Sequence, residues 1–172
     1  MSERLKKLIR DIPDFPKQGI VFKDITTLLA DGPGFAHAID LLAERYKDHG
    51  IDRVVAMEAR GFILGAPLAV RLGAGFVPVR KKGKLPHATI EETYALEYGQ
   101  DTLQMHKDAL IKGHRVLVVD DVLATGGTAA AVVRLVQKLE AEVVEAAFLM
   151  ELSFLHGREK LESVQTHALI QY

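Results

Sequence analysis

The sequence contains no cysteine and no long apolar run. Without cysteine the chain can form no disulfide, no thiolate zinc site and no cysteine nucleophile, a composition compatible with a reducing compartment. No segment approaches the roughly 20 apolar residues that span a bilayer. The charged stretch 1–12 lacks the apolar core of a secretory signal. We therefore expect a cytoplasmic protein without a membrane segment.

The sequence also lacks an excess of charge of either sign. The formal net charge is -1 over 172 residues, so nothing in it favours a nucleic acid or a membrane surface as a partner. The histidines show no metal-ligand spacing, and no Ser/His/Asp arrangement typical of a catalytic triad is present. The length and the hydrophobic fraction of 48% fit one compact domain over residues 1–172.

Apolar strand patterns alternate with helical patterns along most of the chain. Predicted strands cover residues 54–57, 75–79, 116–119 and 143–149, and predicted helices cover residues 5–12, 31–49, 61–72 and 128–140. Continuous apolar strands separated by helices are typical of a parallel sheet covered on both faces. The sequence therefore predicts an α/β fold with a mostly parallel, twisted sheet flanked by helices.

Residues 80–100 interrupt this alternation. The segment begins with a cluster of cations, contains two glycines and a proline, and has no helical period, although residues 94–98 could form a strand. A long insertion of this kind in a compact domain is usually a functional loop or a disordered one. A solvated basic surface loop is the simpler alternative.

The most informative segment is 116–128, with the sequence VLVVDDVLATGGT. It combines a buried strand, two carboxylates at the carboxyl end of that strand, a turn of small residues and a helix N-terminus. Ligands of parallel sheets bind beyond the carboxyl ends of the strands, and N–H groups that converge at a helix N-terminus attract an anion. The segment therefore predicts a site for one phosphate group, formed by Ala124, Thr125, Gly126, Gly127 and Thr128.

Asp120 and Asp121 would repel a phosphate unless they face another group. Ribose hydroxyls, which donate hydrogen bonds to carboxylates, or a hydrated magnesium ion would both serve. The simplest alternative is that the two aspartates only end the strand before the helix begins. No Gly-Lys-Ser/Thr sequence follows, so a P-loop ATPase loses its main support.

Residues 116–128 resemble the phosphoribosyl-diphosphate signature of the type I phosphoribosyltransferases, and the likeness extends along essentially the whole chain. It is closest to the branch that uses adenine. The resemblance implies the type I fold with a flexible hood loop, and a reaction that gives AMP and diphosphate. It also implies a homodimer and Mg²⁺ that is bound mainly through the substrate, with a contact through water to Asp120 or Asp121.

The N-terminal segment, about residues 13–27, resembles the base-binding region of this branch. The likeness implies that Phe22 stacks on the purine, that Val21 reads the purine edge through its backbone, and that Leu155 forms a second wall. Lys23 belongs to the same substrate-binding segment. A backbone carbonyl that accepts from an exocyclic amine would select adenine over a 6-oxopurine. The alternative for Phe22 is an ordinary core aromatic.

The segment that begins at Glu58 resembles the diphosphate loop of the family. In the family this loop often contains a cis peptide bond without proline, and the likeness implies one at Glu58–Ala59. A turn that leads into a helix N-terminus offers N–H donors, and Arg60 would add charge that stabilises the leaving diphosphate.

Residues 80–100 resemble the hood of the adenine branch. By that likeness Arg80, Lys81 and Lys84 face the diphosphate, from this subunit or from a partner. Glu97 would handle the proton on the imidazole edge of adenine, and Tyr98 would contact substrate. Closure of the hood would exclude water from the activated sugar.

Two other functions remain open from the sequence. One is the same chemistry with hypoxanthine or guanine, against which the segment 20–22 and Leu155 argue. The other is a regulatory protein that keeps the fold and senses phosphoribosyl diphosphate, because fold alone does not imply activity. A binding module would have little need of Glu97, so we favour the enzyme.

Overall fold

The computed structural model describes residues 2–95 and 99–172 of the chain. Its five α-helices within these ranges are α1 (Ser2–Lys6), α2 (Thr26–Ala30), α3 (Gly32–Tyr46), α4 (Arg60–Leu72) and α5 (Gly127–Lys138). The strands are β1 (Arg10–Pro13), β2 (Val21–Asp24), β3 (Arg53–Met57), β4 (Gly75–Lys81), β5 (Thr89–Ala95), β6 (Gln100–His106), β7 (Arg115–Leu123), β8 (Glu142–Glu151) and β9 (Thr166–Gln171). Two 3-10 helices, Ser153–Leu155 and Gly157–Leu161, connect β8 to β9.

Seven strands form the central sheet, in the order β5-β6-β4-β3-β7-β8-β9. The neighbours from β4 to β9 in this order pair in parallel, whereas β6 pairs antiparallel with both β4 and β5. Two crossovers of the parallel part are βαβ units, β3–α4–β4 and β7–α5–β8, and each returns the chain to the same end of the sheet. Strands β1 and β2 form a separate antiparallel pair.

Both faces of the sheet are covered by apolar side chains. Along β7, Val116 and Val118 pack in a cluster with residues of α5, while Leu117 and Val119 pack in a second cluster with residues of α3 and α4. Alternate residues of a strand point to opposite faces, so burial on both faces explains why β7 is a continuous apolar run. Within the described residues, no helix is long and apolar enough to cross a membrane.

The structure confirms the alternation that the sequence predicts. Each predicted strand lies inside an observed one, and the helices predicted at 31–49, 61–72 and 128–140 correspond to α3, α4 and α5. The start of α3 is capped by a side chain, because Asp31 accepts a hydrogen bond from the Gly34 N–H at 2.7 Å. A capping carboxylate satisfies an N–H that has no partner within the helix.

The first predicted helix was wrong in its extent. Helix α1 ends at Lys6, and residues 10–13 form β1, which pairs with β2 in the register Arg10 to Asp24. The Arg10 guanidinium also donates to the Asp24 carboxylate at 2.5 Å. This pairing of distant segments overrides the helical spacing of the apolar residues, a long-range effect that periodicity does not contain.

Much of the predicted insertion at 80–100 is a β-hairpin. Strands β5 and β6 pair over seven residues each, from Thr89 opposite His106 to Ala95 opposite Gln100. A strand within 94–98 is confirmed only at its beginning, where β5 ends at Ala95, and residues 96–98 lie outside the described part of the chain. The hairpin extends the sheet at its β4 edge.

Candidate active site

A cavity of about 380 Å³ opens at the carboxyl ends of β3 and β7. This is the edge at which open parallel sheets bind their ligands. The loops after these two strands and the hairpin β5–β6 form its walls. The lining residues are Met57, Glu58, Ala59, Arg60, Lys81, Tyr94, Asp101, Leu103, Asp120, Asp121, Val122, Leu123, Ala124, Gly126, Gly127, Thr128 and Ala129.

The turn between β7 and α5 forms one wall of the cavity. Gly126 caps α5 with φ +79°, a left-handed conformation that glycine adopts without steric cost. Gly126, Gly127 and Thr128 at the start of α5 line the cavity, and the first N–H groups of a helix have no partner within the helix. The Thr128 hydroxyl lies 3.3 Å from the Tyr94 hydroxyl of the hairpin. The turn therefore has the parts of a phosphate site.

Asp120 and Asp121, which we call the acid pair, lie near the end of β7, just before this turn. Asp121 has a side chain that is only 5% exposed, and its carboxylate accepts a hydrogen bond from Arg60 Nε at 2.5 Å. Burial and the neighbouring Asp121 charge raise the pKa of Asp120 well above its usual value. The raised pKa favours the neutral form of Asp120, and oxygens of both carboxyl groups can accept hydrogen bonds from hydroxyl donors.

Helix α4 approaches this acid pair closely because residue 61 is a glycine. A Cβ at Gly61 would lie 2.8 Å from Asp120 Oδ1 and 3.2 Å from the Val119 carbonyl oxygen. Any larger residue would push the start of α4 away from the end of β7. The glycine therefore sets the distance at which Arg60, its neighbour, reaches Asp121.

The loop between β3 and α4 contains the expected cis peptide bond at Glu58–Ala59, which confirms that prediction. The Glu58 carboxylate accepts from the Lys81 N–H at 2.6 Å and from the Arg80 guanidinium at 3.2 Å. Burial raises the pKa of Glu58, but these hydrogen bonds outweigh it and the pKa is lowered overall. Glu58 therefore stays ionised and ties this loop to the end of β4.

The cations predicted in the hood have different surroundings. The Lys81 ammonium lies 3.2 Å from the Asp101 carboxylate inside the cavity. Arg80 pairs with Glu58 as described, and its guanidinium also lies 3.4 Å from the carbonyl of Lys84. Lys84 is exposed and does not line the cavity. Of these three cations, Lys81, the last residue of β4, is the one that lines the cavity.

The hairpin is held against α5 by charged contacts. Glu92 of β5 accepts from Arg134 at 2.5 Å and lies 2.6 Å from the Lys138 ammonium. The Glu92 side chain is 15% exposed, and the hydrogen bond from Lys138 contributes most to lowering its pKa. This contact fixes the hairpin relative to the helix that begins at the phosphate turn.

The predicted base segment lies beside the arginine of the site. The Phe22 ring is half-buried, contacts Phe15 edge to face at 5.2 Å and lies 5.8 Å from the Arg60 guanidinium carbon. Val21 is 48% exposed, so its surface is open to a ligand. Lys23 points elsewhere, since its ammonium pairs with Asp11 at 2.7 Å.

The other predicted wall, Leu155, is 38% exposed at the end of a 3-10 helix. Its segment and the base segment share a neighbour, the C-terminal Tyr172. The Tyr172 carbonyl accepts from the Ser153 N–H at 3.0 Å, and the Lys23 ammonium lies 4.1 Å from the Tyr172 ring centroid. Tyr172 therefore connects β2 with the segment that carries Leu155.

The structure brings together about half of the residues predicted from the sequence. Those that line the cavity are Arg60, Lys81, Asp120, Asp121, Ala124, Gly126, Gly127 and Thr128. Those that lie outside its lining are Val21, Phe22, Lys23, Arg80, Lys84, Thr125 and Leu155. Glu97 and Tyr98 lie outside the described residues. Asp101 and Leu103 were not predicted, because β6 reaches the cavity through its pairing with β4 and β5, which no local sequence pattern indicates.

Known proteins resemble this chain over its whole length. The family described as "Phosphoribosyl transferase domain" matches residues 24–169. An adenine phosphoribosyltransferase of Geobacter metallireducens is 60% identical over 170 residues, which is 99% of each chain. The crystal structure of an adenine phosphoribosyltransferase from Thermoanaerobacter pseudethanolicus matches with a TM-score of 0.96 and 52% identity over 100% of both chains.

A second solved structure carries ligands. The adenine phosphoribosyltransferase of Saccharomyces cerevisiae, in complex with D-2,5-dideoxy-2,5-imino-altritol 1,6-bisphosphate and adenine, matches with a TM-score of 0.93 and 43% identity. The match covers 98% of this chain and 97% of the yeast chain. The chain therefore belongs to the phosphoribosyltransferase family and, within it, to the adenine phosphoribosyltransferases.

Proposed function

We propose that the chain transfers the 5-phosphoribosyl group of phosphoribosyl diphosphate to adenine, giving AMP and diphosphate in purine salvage. The observation that carries the proposal is the cavity at the ends of β3 and β7, which combines a phosphate turn, an acid pair and an arginine. The relatives that match the whole chain carry the name of this activity.

The phosphate turn and the acid pair bind different parts of the phosphorylated ribose. The turn from Ala124 to Thr128 binds the 5′-phosphate through its N–H groups and hydroxyls. Asp120 and Asp121 accept hydrogen bonds from the two ribose hydroxyls. The Asp121 carboxylate also favours the positive character that the ribose ring develops as diphosphate departs. Catalysis is then mainly positioning and electrostatic stabilisation.

The departing diphosphate is stabilised by cations at the other side of the cavity. Arg60 and Lys81 each have a carboxylate partner, Asp121 and Asp101, and oxygens of diphosphate attract both cations more strongly than a single carboxylate does. Arg80 and Lys84 stand next to Lys81 in the hood. Closure of the hood over the cavity would add their charge and exclude water.

Adenine lies between Phe22 and Leu155 in this proposal. Both side chains are partly exposed, as the walls of an open apolar site are. The backbone carbonyl of Val21 accepts from the 6-amino group of adenine, and this selects adenine because a 6-oxopurine has a carbonyl oxygen at that position. Lys23 contributes through its backbone, because its ammonium pairs with Asp11.

Glu97 supplies the proton transfer on adenine. If it has this role, Glu97→Gln lowers kcat by roughly 10²-fold or more and leaves the melting temperature unchanged. Glu44→Gln, on the exposed surface of α3, serves as the matched control. An unchanged kcat in Glu97→Gln would remove Glu97 from the mechanism.

Mg²⁺ fits the cavity as a companion of the substrate. Within the described residues, no group of three or more His, Cys, Asp or Glu side chains could hold a metal ion. Mg²⁺ is commonly bound by one or two carboxylates together with substrate phosphates and water, and Asp120 and Asp121 offer such carboxylates. Bound in this way, Mg²⁺ would neutralise charge on the leaving diphosphate.

The working form that we propose is a cytoplasmic homodimer. Closed homodimers are the commonest soluble oligomers, and the exposed apolar residues Ile63 and Val70 of α4 provide surface that a partner can cover. Sedimentation velocity would test the dimer, with an expected mass about twice the 18.9 kDa of the chain.

A panel of free bases separates the proposal from its two rivals. The protein is mixed with Mg²⁺, phosphoribosyl diphosphate and each of adenine, hypoxanthine and guanine, and nucleotides are separated by chromatography. We expect AMP from adenine and a much slower reaction with the two 6-oxopurines. IMP or GMP as the main product would favour another base. Tight binding of phosphoribosyl diphosphate without any nucleotide would favour the sensor.

A further inference from the structure

Two glycines place the segment after β8 in direct contact with the phosphate turn. A Cβ at Gly126 would overlap the carbonyl oxygen of Gly157, and a Cβ at Gly157 would overlap the carbonyl oxygen of Ala124. A Cβ at Gly157 would also lie 3.1 Å from the Gly126 nitrogen. Both glycines are buried. We call this backbone-to-backbone approach the glycine contact.

Position 157 requires glycine because there is no room for a side chain, and not because of its backbone conformation. Gly126 has φ +79°, which by itself favours glycine, whereas Gly157 is not among the glycines with positive φ in the described chain. An alanine at position 157 would therefore adopt the backbone conformation without strain, but its methyl group would meet the phosphate turn. Glycine at position 157 therefore permits the close approach of this backbone to the phosphate turn.

The next residue holds the glycine contact in place. Arg158 donates two parallel hydrogen bonds to Glu151 at 2.7 Å each, and a third to the carbonyl of Thr166 at 2.9 Å. The Glu151 side chain is 5% exposed. Bidentate pairs of arginine and carboxylate are strong and fix orientation. Arg158 thus joins the segment to the last residue of β8 and the first residue of β9.

The same short segment carries the predicted adenine wall. Leu155 ends one 3-10 helix and Gly157 begins the next, with only His156 between them at φ +53°. The start of the segment is fixed as well, because the Leu152 N–H donates to the Leu123 carbonyl of β7 at 2.9 Å. A shift of Gly157 must therefore be transmitted to Leu155.

We propose that Gly157, held by Arg158, is a positioning residue that sets the distance between the 5′-phosphate turn and the adenine wall. This rests on the proposed function, in which the two walls bind the two ends of one nucleotide. The spacing decides whether the purine nitrogen and C1′ of the ribose meet, and a displacement of about 1 Å can cost roughly 10²-fold in rate.

The test uses ligands that occupy one wall or both. Ribose 5-phosphate needs the phosphate turn, adenosine needs the adenine wall and the ribose site, and AMP needs both walls at the correct spacing. In Arg158→Met we expect the Kd of AMP to rise about tenfold, because the two ends no longer bind together. The Kd values of ribose 5-phosphate and adenosine should change by less than about twofold.

Three further variants complete the experiment, each measured by calorimetry beside its melting temperature. Arg158→Lys keeps one hydrogen bond and should recover part of the AMP affinity. Gly157→Ala should raise the Kd of ribose 5-phosphate together with that of AMP, because its methyl group meets the phosphate turn itself. Glu159→Gln, an exposed change in the same 3-10 helix, should leave all three Kd values unchanged. If Arg158→Met fails to fold, Glu151→Gln replaces it. We then expect the Kd of AMP to rise more than the Kd values of ribose 5-phosphate and adenosine.

The outcomes are distinct. An AMP Kd that is unchanged in Arg158→Met, or that rises no more than the Kd of ribose 5-phosphate, would overturn the positioning role. A wild-type protein that binds no AMP would instead overturn the proposed function on which the inference rests.

Discussion

Arg60 stands where three parts of the site meet. It begins α4, donates to the buried Asp121 at 2.5 Å and lies 5.8 Å from the Phe22 ring. Its position next to Gly61 fixes the approach of α4 to β7. In the proposed reaction this one guanidinium therefore lies near the ribose, the diphosphate and the base.

The first residue-scale prediction concerns Arg60→Met. Loss of a hydrogen-bonded charge should lower kcat/KM for phosphoribosyl diphosphate by about 10- to 100-fold, corresponding to about 1.5–3 kcal/mol. The melting temperature should also fall, because Asp121 loses the cation that compensates its burial. Steady-state kinetics and thermal unfolding measure both effects.

Arg71→Met is the matched control for this variant. Arg71 lies in the last turn of the same helix and pairs with Asp40 on the surface at 2.6 Å. Such exposed pairs contribute little to stability. Equal kinetic losses in Arg60→Met and Arg71→Met would contradict a specific role of Arg60 in the site.

The second residue-scale prediction concerns Asp24. Hydrogen bonds from Arg10 and then from Thr26 lower the pKa of Asp24 from 3.8 to about 2. A carboxylate with a lowered pKa stabilises the folded state above its unfolded pKa, and this contribution is lost as pH falls toward the folded pKa. Asp24→Asn should therefore cost about 1–2 kcal/mol of unfolding free energy at pH 7.

Urea unfolding at a series of pH values checks this prediction. The difference between wild type and Asp24→Asn should shrink as pH falls from about 4 toward about 2. Asp40→Asn, on an exposed pair of α3, should show a small difference throughout. A difference for Asp24→Asn that grows in acid would contradict the assigned pKa shift.

At the scale of elements, the hairpin β5–β6 was harder to foresee than the parallel strands. The sequence predicts β3, β7 and α5 because burial on both faces gives continuous apolar runs. The hairpin is half-exposed along β5, and its order comes from cross-strand pairs and charged contacts such as Glu92 with Arg134. Contacts between distant residues of this kind leave no periodic pattern in the sequence.

The same distinction between local and long-range contacts applies to the candidate site. The phosphate turn and the acid pair are contiguous in sequence, so their chemistry could be predicted from residues 116–128. Asp101 and Tyr94 reach the cavity only through the hairpin. The contact of Gly126 with Gly157 joins positions about 30 residues apart and could not be foreseen, because an isolated glycine does not indicate what its missing side chain would meet.

The prediction at this scale concerns the tether between hairpin and helix. Glu92→Gln removes the charge that Arg134 and Lys138 share, so the hairpin should open more readily. We expect faster amide hydrogen exchange in β5 and β6. The KM for phosphoribosyl diphosphate should rise roughly fivefold, corresponding to about 1 kcal/mol.

Glu140→Gln controls for the loss of a surface charge, since Glu140 pairs with Lys112 away from the hairpin at 2.7 Å. Exchange rates in β5 and β6 that stay equal in Glu92→Gln and wild type would show that this tether does not hold the hairpin.

At the scale of the whole molecule, one sheet serves both stability and chemistry. Its faces bury apolar residues of all five parallel strands. The carboxyl ends of its strands carry the turn 124–128, the acid pair and the loop between β3 and α4. Similarity to adenine phosphoribosyltransferases extends over the whole chain with a TM-score of 0.96. The parts of the proposed reaction therefore come from one continuous fold.

Product stoichiometry tests the central proposal most directly. Purified protein is incubated with Mg²⁺, adenine and phosphoribosyl diphosphate, and adenine, AMP and diphosphate are quantified together over time. The proposal predicts one AMP and one diphosphate for each adenine consumed. Adenine that remains unconsumed, or diphosphate released together with ribose 5-phosphate and without AMP, would contradict it.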